Sequence, residues 1–317
     1  MRHRSLSSAS LARRAVIVSA VCLAVAPLVG QTRTPEGQPD LQGVWSFATL
    51  TPLERPGQLA GKSTLTDEEA ATFERETLDR TNADRRPEGT DADVALAYNN
   101  AWYDRGTKVV GTKQTSLVTN PPDGRIPALT PEGQKKVDAR AEARRQHGPA
   151  DGPEDRSLAE RCLLFGAGPP IVPGPYNNNV QFLQSRDHVV ILNEMIHDAR
   201  IVPLHGGPHL PAQIRRWQGD SRGRWDGDTL VVDTTNFSDR TNFRGADENL
   251  HLIERFKRVD ANTLLYEFTV DDPTAFTKPW TGTIPMTRSA EPIYEYACHE
   301  GNYAMGGILR GARAQEK

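Results

Sequence analysis

Cysteine is scarce in this chain, and neither a strong net charge nor a long apolar run occurs in the body of the sequence. Three cysteines among 317 residues exclude a small, disulfide-dense scaffold. The net charge of −3 argues against a dedicated nucleic-acid binder, which needs a basic surface to displace the counterions of phosphates. After residue 30 no apolar run is long enough to cross a membrane.

The sequence also lacks the signatures of several enzyme classes. It has no glycine-rich phosphate loop, no internal repeat and no Gly-x-Ser-x-Gly elbow of the α/β-hydrolases. Hydrophobic residues make up 37% of the chain, and the 26 glycines bring the apolar total near that of globular proteins. The composition therefore supports a packed core and leaves the function to be argued from individual residues.

The N-terminus has the organisation of an export signal. "MRHRSLSSASLARR" carries positive charge and no acid, and the apolar run "AVIVSAVCLAVAPLVG" follows it. The pattern predicts a signal peptide over residues 1–30 and a periplasmic or extracellular mature protein without a stable membrane span. An uncleaved N-terminal anchor is the alternative.

Signal cleavage removes Cys22 and leaves Cys162 and Cys298. An even pair in an oxidising compartment predicts a disulfide. It would close a loop of about 136 residues, worth roughly 4–5 kcal/mol in the chain-entropy description. Two alternatives stay open: the thiols are not bridged, or Cys298, within "CHE", is a ligand or a nucleophile.

The mature chain divides into two parts, 31–157 and 158–317. The first part holds a strand centred on Val44 and Trp45, and then a helical and loop region. Thr66 and Glu69 form a capping-box pattern that predicts one helix, and Pro131 marks the first turn of a second. We expect this region to pack on the outside of the core that the second part forms.

The second part consists of short, β-branched, turn-bounded segments. Hairpins are predicted about residues 226–228 and 260–262, and further strands at "IRRWQG", "WTGTIPM" and "IYEYACHE". Because no helices separate these segments, the pattern predicts a mainly β fold, an antiparallel barrel or sandwich with helical N-terminal decoration.

Two resemblances add to this reading. "GDSRGRWDGDTLVVDTTNF", "ERFKRVDANTLLYEFTVDDP" and "IYEYACHEGNY" resemble signature blocks of a large family of exported bacterial proteins. That resemblance implies export and a β-rich fold, and it assigns no reaction. The triplet from Gly43 to Trp45 resembles the Gly-x-Trp start of lipocalin-type, calycin-like barrels, in which the tryptophan packs against a late arginine. Arg310 and Arg313 are the candidates for that arginine.

The stretch "EMIHDARIVPLHGGPH" concentrates ionisable side chains. A histidine near a carboxylate in a wet cavity can move protons near neutral pH, and an arginine can stabilise developing negative charge. A strand that ends at "NEMIHDAR" would place Glu194 and His197 on opposite faces. In the other predicted strands, alternation places carboxylates on apolar faces, where they need partners or a cavity. The predicted catalytic residues are His197, His299, Glu254, Glu194 and Arg200. For Glu254 the alternative is a surface pair with Arg255 or Lys257.

The remaining candidates concern binding. Aromatic side chains and a polar turn predict a ligand site formed by Trp217, Trp225, Tyr294, Tyr296 and Asn178, although aromatic residues in strands belong more often to the core. His205, His209 and His251 are candidate metal ligands, but two glycines and a proline in "HGGPH" argue against a helical zinc motif. No specific cofactor is predicted, and a divalent metal stays open.

The working hypothesis is an exported enzyme that performs proton-transfer chemistry, as a lyase, isomerase or hydrolase, on a small molecule in the barrel mouth. One alternative is a non-catalytic, lipocalin-like ligand-binding protein. Another is a histidine-ligated metalloprotein, and solvated loop histidines without a function are the plainest interpretation of the same residues.

Overall fold

A computed structural model of the chain describes residues 32–85, 89, 99–165 and 168–316. The predicted signal peptide lies outside the described residues. Within the described part, none of the helices combines the length and the apolar character that a bilayer crossing requires.

The fold is mainly β, as the sequence predicts. Among the described residues, ten antiparallel strands form one sheet in the order β5-β4-β3-β1-β10-β9-β8-β7-β6, and β2 pairs with the other end of β10. The strands are β1 (Gly43–Ser46), β2 (Val118–Asn120), β3 (Asn179–Gln184), β4 (His188–Asn193), β5 (Ala199–Pro203), β6 (Asp220–Asp226), β7 (Thr229–Thr235), β8 (His251–Arg258), β9 (Thr263–Asp271) and β10 (Trp280–Ser289).

The sheet curls without closing into a barrel, since the edge strands β5 and β6 are not joined by ladder hydrogen bonds. They still lie against each other: a methyl group on Gly223 of β6 would come within 2.9 Å of the Val202 side chain on β5. Glycine at this position therefore permits the close approach of the two edges.

Alternating burial along the strands places one face of the curled sheet in the core. The interior is filled by large, fully buried side chains. They include Trp45, Phe182, Phe256, Tyr266, Phe268 and Trp280. Several of these rings pack on one another, for example Phe256 and Tyr266 with centroids 4.8 Å apart. The inside of this sheet is thus a packed core.

In the described part of the chain, three longer helices decorate the sheet: α1 (Asp67–Arg80), α2 (Pro131–Gln146) and α3 (Tyr303–Gln315). The first two confirm the sequence-based helices. The Thr66 hydroxyl accepts from the Glu69 N–H while the Glu69 carboxylate accepts from the Thr66 N–H, which is the predicted capping box. Helix α3 was not predicted, and none of its side chains is buried.

Three local strand predictions were wrong. "IRRWQG" forms turns, and "IYEYACHE" is an extended, turn-containing segment without ladder pairing. The segment "NEMIHDAR" does not continue a strand: β4 ends at Asn193, a single 3-10 turn spans Met195–His197, and β5 begins at Ala199. The predicted alternation of faces through Glu194 and His197 therefore does not occur.

Trp45 is buried on the core side of β1, with its indole N–H donating to the Leu41 carbonyl at 2.9 Å. The arginines above its ring are Arg288 and Arg258, with guanidinium carbons 5.6 and 5.8 Å from a ring centroid. The prediction of Arg310 or Arg313 was wrong, because both belong to α3.

Arg313 of that helix instead donates to the carbonyls of Ala150 and Asp151. The two arginines that do approach the tryptophan come from β8 and β10, which flank β9 in the sheet. Sheet order, and not sequence position near the C-terminus, decides which arginine packs on the indole.

Candidate functional site

A groove of about 1420 Å³ lies beside the β1–β3 pair, between these strands and the segment 289–308. Its aromatic lining residues are Trp102, Phe165, Tyr176, Tyr294 and Tyr296. Its acidic lining residues are Asp104, Glu160, Glu194, Glu291, Glu295 and Glu300. Ser46 lines it while Trp45 fills the core, and neighbouring strand residues point to opposite faces. The groove is therefore on the outer face of the sheet and not in the predicted barrel mouth.

The buried part of the groove wall is centred on Glu194. Its side chain is 3% exposed, and its carboxylate accepts from the Asn179 amide at 2.8 Å and from the Tyr294 backbone N–H at 3.3 Å. Asn179 begins β3 and Tyr294 belongs to the C-terminal segment, so this one carboxylate connects the two sides of the groove.

The turn that presents Glu194 has a strained backbone. Ile196 and His197 have φ values of 58° and 46°, a region that residues other than glycine seldom adopt. The conformation persists because Met195 and Ile196 are buried in the core, at 3% and 2% exposure. Burial of these two apolar side chains thus holds Glu194 at the groove and leaves the His197 ring exposed.

The predicted disulfide lies beside the groove, and its Cys298 is one of the lining residues. Cys162 and Cys298 are bonded, with their Cα atoms 5.8 Å apart and 136 positions between them in sequence. Asn302 adds a hydrogen bond to the Glu160 carbonyl at 3.4 Å. The bridge therefore anchors the C-terminal segment to the loop around 158–165.

His197 and His299 lie side by side, as the sequence hypothesis requires. Their ring centroids are 5.9 Å apart, and both side chains are exposed. The His197 Nδ1 lies 2.8 Å from the Tyr296 carbonyl. Because a carbonyl only accepts, Nδ1 carries the proton and, in the neutral ring, Nε2 is left as a base. Neither histidine is among the groove-lining residues, so the pair flanks the groove.

Arg200 and Glu254 form a bidentate ion pair inside the core. The Tyr266 hydroxyl donates to the same carboxylate at 2.8 Å and accepts from the Ile171 N–H at 3.0 Å. Burial acts to lower the pKa of Arg200, but the charge of Glu254 raises it overall. Burial, and after it the charge of Glu254, raises the pKa of Tyr266 well above its usual value. The two predicted catalytic residues neutralise each other away from the groove, and Glu254 is not a surface partner of Arg255 or Lys257.

Asn178, predicted to bind ligand, is 1% exposed and holds the turn before β3. Its amide donates to the carbonyls of Asp104 and Gly174 and accepts from the Gly174 N–H at 2.7 Å. All of these bonds are internal, so its role is to shape the wall that Tyr176 and Asn179 present to the groove.

The four predicted aromatic ligand residues separate into two places. Tyr294 and Tyr296 line the groove, Tyr294 with 63% of its surface exposed. Trp225 packs half-buried against the core from β6, and Trp217 lies half-buried in the turns before β6, with its carbonyl accepting from the Thr241 hydroxyl. Neither tryptophan lines the groove.

A second polar cluster lies near the other edge of the sheet. His209 contacts Asp220 through Nδ1 at 3.0 Å and Asp233 through Nε2 at 3.1 Å, and His251 approaches the same Asp233 at 3.1 Å. Burial acts to raise the pKa of Asp220, but hydrogen bonds from a backbone N–H and His209, together with Arg222, lower it overall. The cluster joins His209 to two of the sheet strands.

His205, the third candidate metal ligand, lies elsewhere, its ring 5.5 Å from that of His188. Among the residues that the structure describes, no group of three or more His, Cys, Asp or Glu side chains is arranged to hold a metal ion. Of the three candidate metal ligands, the fold thus brings His209 and His251 to the same carboxylate, Asp233, and leaves His205 apart.

Sequence reasoning missed most of the groove, because its walls come from the extended segment after β10, from α3 and from the loop near Trp102. For the segment after β10, the signal in the sequence was the acidic and aromatic composition of "EPIYEYACHEGNY". Comparison with protein-family models and with curated proteins found no match to this chain.

Proposed function

We propose that this is an exported protein that binds a small organic molecule in the groove between the β1–β3 pair and the C-terminal segment. The observation that carries the proposal is a groove of about 1420 Å³ walled by five aromatic side chains and partly held by a disulfide. Ligand sites are typically concave and aromatic, with a few placed polar groups. The disulfide, favoured outside the cytoplasm, supports export.

A substitution that fills the groove tests the proposal. Ala304 lines the groove from α3, whereas Ala143 is exposed on α2. We expect wild-type protein to bind 3-phenylpropan-1-ol in equilibrium dialysis and Ala304→Trp to lose most of that binding, since the indole occupies ligand space. Ala143→Trp is the matched control and should bind as wild type does. Equal binding by all three proteins would place the ligand elsewhere.

Acid–base catalysis is the second candidate function, and the proximity of His197 and His299 favours it. In this version His197 Nε2 takes a proton from a molecule held at the groove edge, and Glu194 replaces Glu254 as the nearby carboxylate. Once turnover of a groove ligand has been measured, His197→Ala should abolish it while leaving binding in place. Turnover that survives in both His197→Ala and His299→Ala would exclude these two histidines as the acid–base pair.

A further inference from the structure

Glu194 is a buried carboxylate without a counter-cation. It is 3% exposed, and both of its recorded donors, the Asn179 amide and the Tyr294 N–H, are neutral. Among the described residues none forms an ion pair with Glu194. The other two buried glutamates of the described part are both paired, Glu254 with Arg200 and Glu74 with Lys108. Buried charges are normally paired, because desolvation without compensation is costly.

The surroundings of Glu194 carry the same sign of charge. Of the other acidic lining residues, Glu160 is neutralised by Arg156. Asp104, Glu291, Glu295 and Glu300 add negative charge, and the described wall of the groove contains no lysine or arginine. An anionic ligand would be repelled from this groove, and a neutral one would leave the buried carboxylate uncompensated.

The aromatic residues add a surface for the rest of the ligand beside the Glu194 carboxylate. Tyr294 donates its backbone N–H to Glu194 and presents an exposed ring to the same groove. Aromatic faces attract cations and also pack against apolar ligand bodies. An ionised carboxylate offers about four acceptor positions, and Glu194 uses two of them within the protein, so about two are left for ligand N–H groups.

From this arrangement we infer that the groove ligand is an organic cation, with an ammonium or amidinium group on Glu194 and an apolar or aromatic body on the tyrosines. The inference rests on the proposed binding function and specifies the ligand class. The assignment gives Glu194 two roles: it joins β3 to the C-terminal segment, and it supplies the counter-charge for the bound molecule.

Three probes that share a phenylpropyl body separate charge from shape: 3-phenylpropylamine (cationic at pH 7), 3-phenylpropan-1-ol (neutral) and 3-phenylpropanoate (anionic). In calorimetric titrations of the mature, disulfide-bonded protein, we expect the amine to bind about tenfold more tightly than the alcohol, as a charge-assisted contact implies. The acid should bind most weakly.

Variants assign the preference to one side chain. Glu194→Gln keeps an acceptor for the Asn179 amide and removes the charge, so it should lose the roughly tenfold preference for the amine over the alcohol. Glu194→Asp retains the charge and should retain the preference. Glu267→Gln, on the outer face of β9 and away from the groove, is the matched control.

The outcomes distinguish this inference from the proposed function. Equal affinity for amine and alcohol would overturn the cation assignment and leave groove binding intact. A preference for the amine that persists in Glu194→Gln would overturn the role of Glu194. If none of the three probes binds wild-type protein at millimolar concentration, the proposed binding function fails together with the inference.

Discussion

Removing one partner of the buried Arg200–Glu254 pair should destabilise the protein strongly. Arg200→Met leaves the Glu254 carboxylate in the core with the Tyr266 hydroxyl as its remaining recorded donor. An uncompensated buried charge of this kind costs about 3–5 kcal/mol. With a urea m-value of about 3 kcal/mol per molar for a chain of this size, the unfolding midpoint should fall by roughly 1–1.7 M.

Two further variants make the reasoning testable. The double variant Arg200→Met/Glu254→Leu removes both charges and should recover most of the lost stability, because apolar replacement of a buried pair is often neutral or stabilising. Arg255, next to Glu254 on β8, forms an exposed ion pair with Asp226 of β6. Arg255→Met breaks this pair and should lower the free energy of unfolding by less than about 1 kcal/mol.

Urea titrations followed by circular dichroism at pH 7 measure all three. A cost below about 1 kcal/mol for Arg200→Met would refute the account of the core ion pair. A double variant as unstable as the single one would show that the pair stabilises the fold by its shape and not by mutual neutralisation. Either result would require a different explanation for two charged side chains inside this sheet.

Two other predictions follow from the same structure. Replacing Cys162 and Cys298 by serine should lower the free energy of unfolding by about 4–5 kcal/mol, given the 136-residue separation, and a change below about 1 kcal/mol in urea titrations would contradict this. Burial, and after it the Glu254 carboxylate, raises the pKa of Tyr266 well above 10.0. Above pH 10 the unfolded chain therefore loses a proton that the folded chain keeps, so the stability of the wild-type protein falls as the pH rises. The stability deficit of Tyr266→Phe should therefore shrink between pH 9 and 10.5, whereas a constant deficit would contradict the raised pKa.

Short sequence patterns predicted the elements that depend on interactions between residues only a few positions apart. The capping box before α1 and the proline that opens α2 each act within a few residues, and so do the hairpin turns at 226–228 and 260–262. The disulfide was predicted because two cysteines follow the predicted signal peptide and an exported protein folds under oxidising conditions, and the fold brings the two residues together.

The site could be predicted only in part, because its residues meet through tertiary packing. The proximity of His197 and His299 was predicted, but not how it arises. His197 lies in the 3-10 turn between β4 and β5, and His299 lies in the turn-containing segment after β10. Glu254 looked catalytic because a carboxylate on an apolar face needs a partner, and the partner is Arg200 from a distant strand of the sheet.

The methionine methyl groups offer the most direct test of groove binding. Three methionines follow the predicted signal peptide: Met195 and Met286 are buried in the core, and Met305 lines the groove from α3. In protein labelled with ¹³C at the methionine methyls, titration with 3-phenylpropylamine should shift the Met305 resonance progressively to saturation and leave that of Met286 in place. A titration in which the Met305 resonance does not move, or moves no more than that of Met286, would contradict the account.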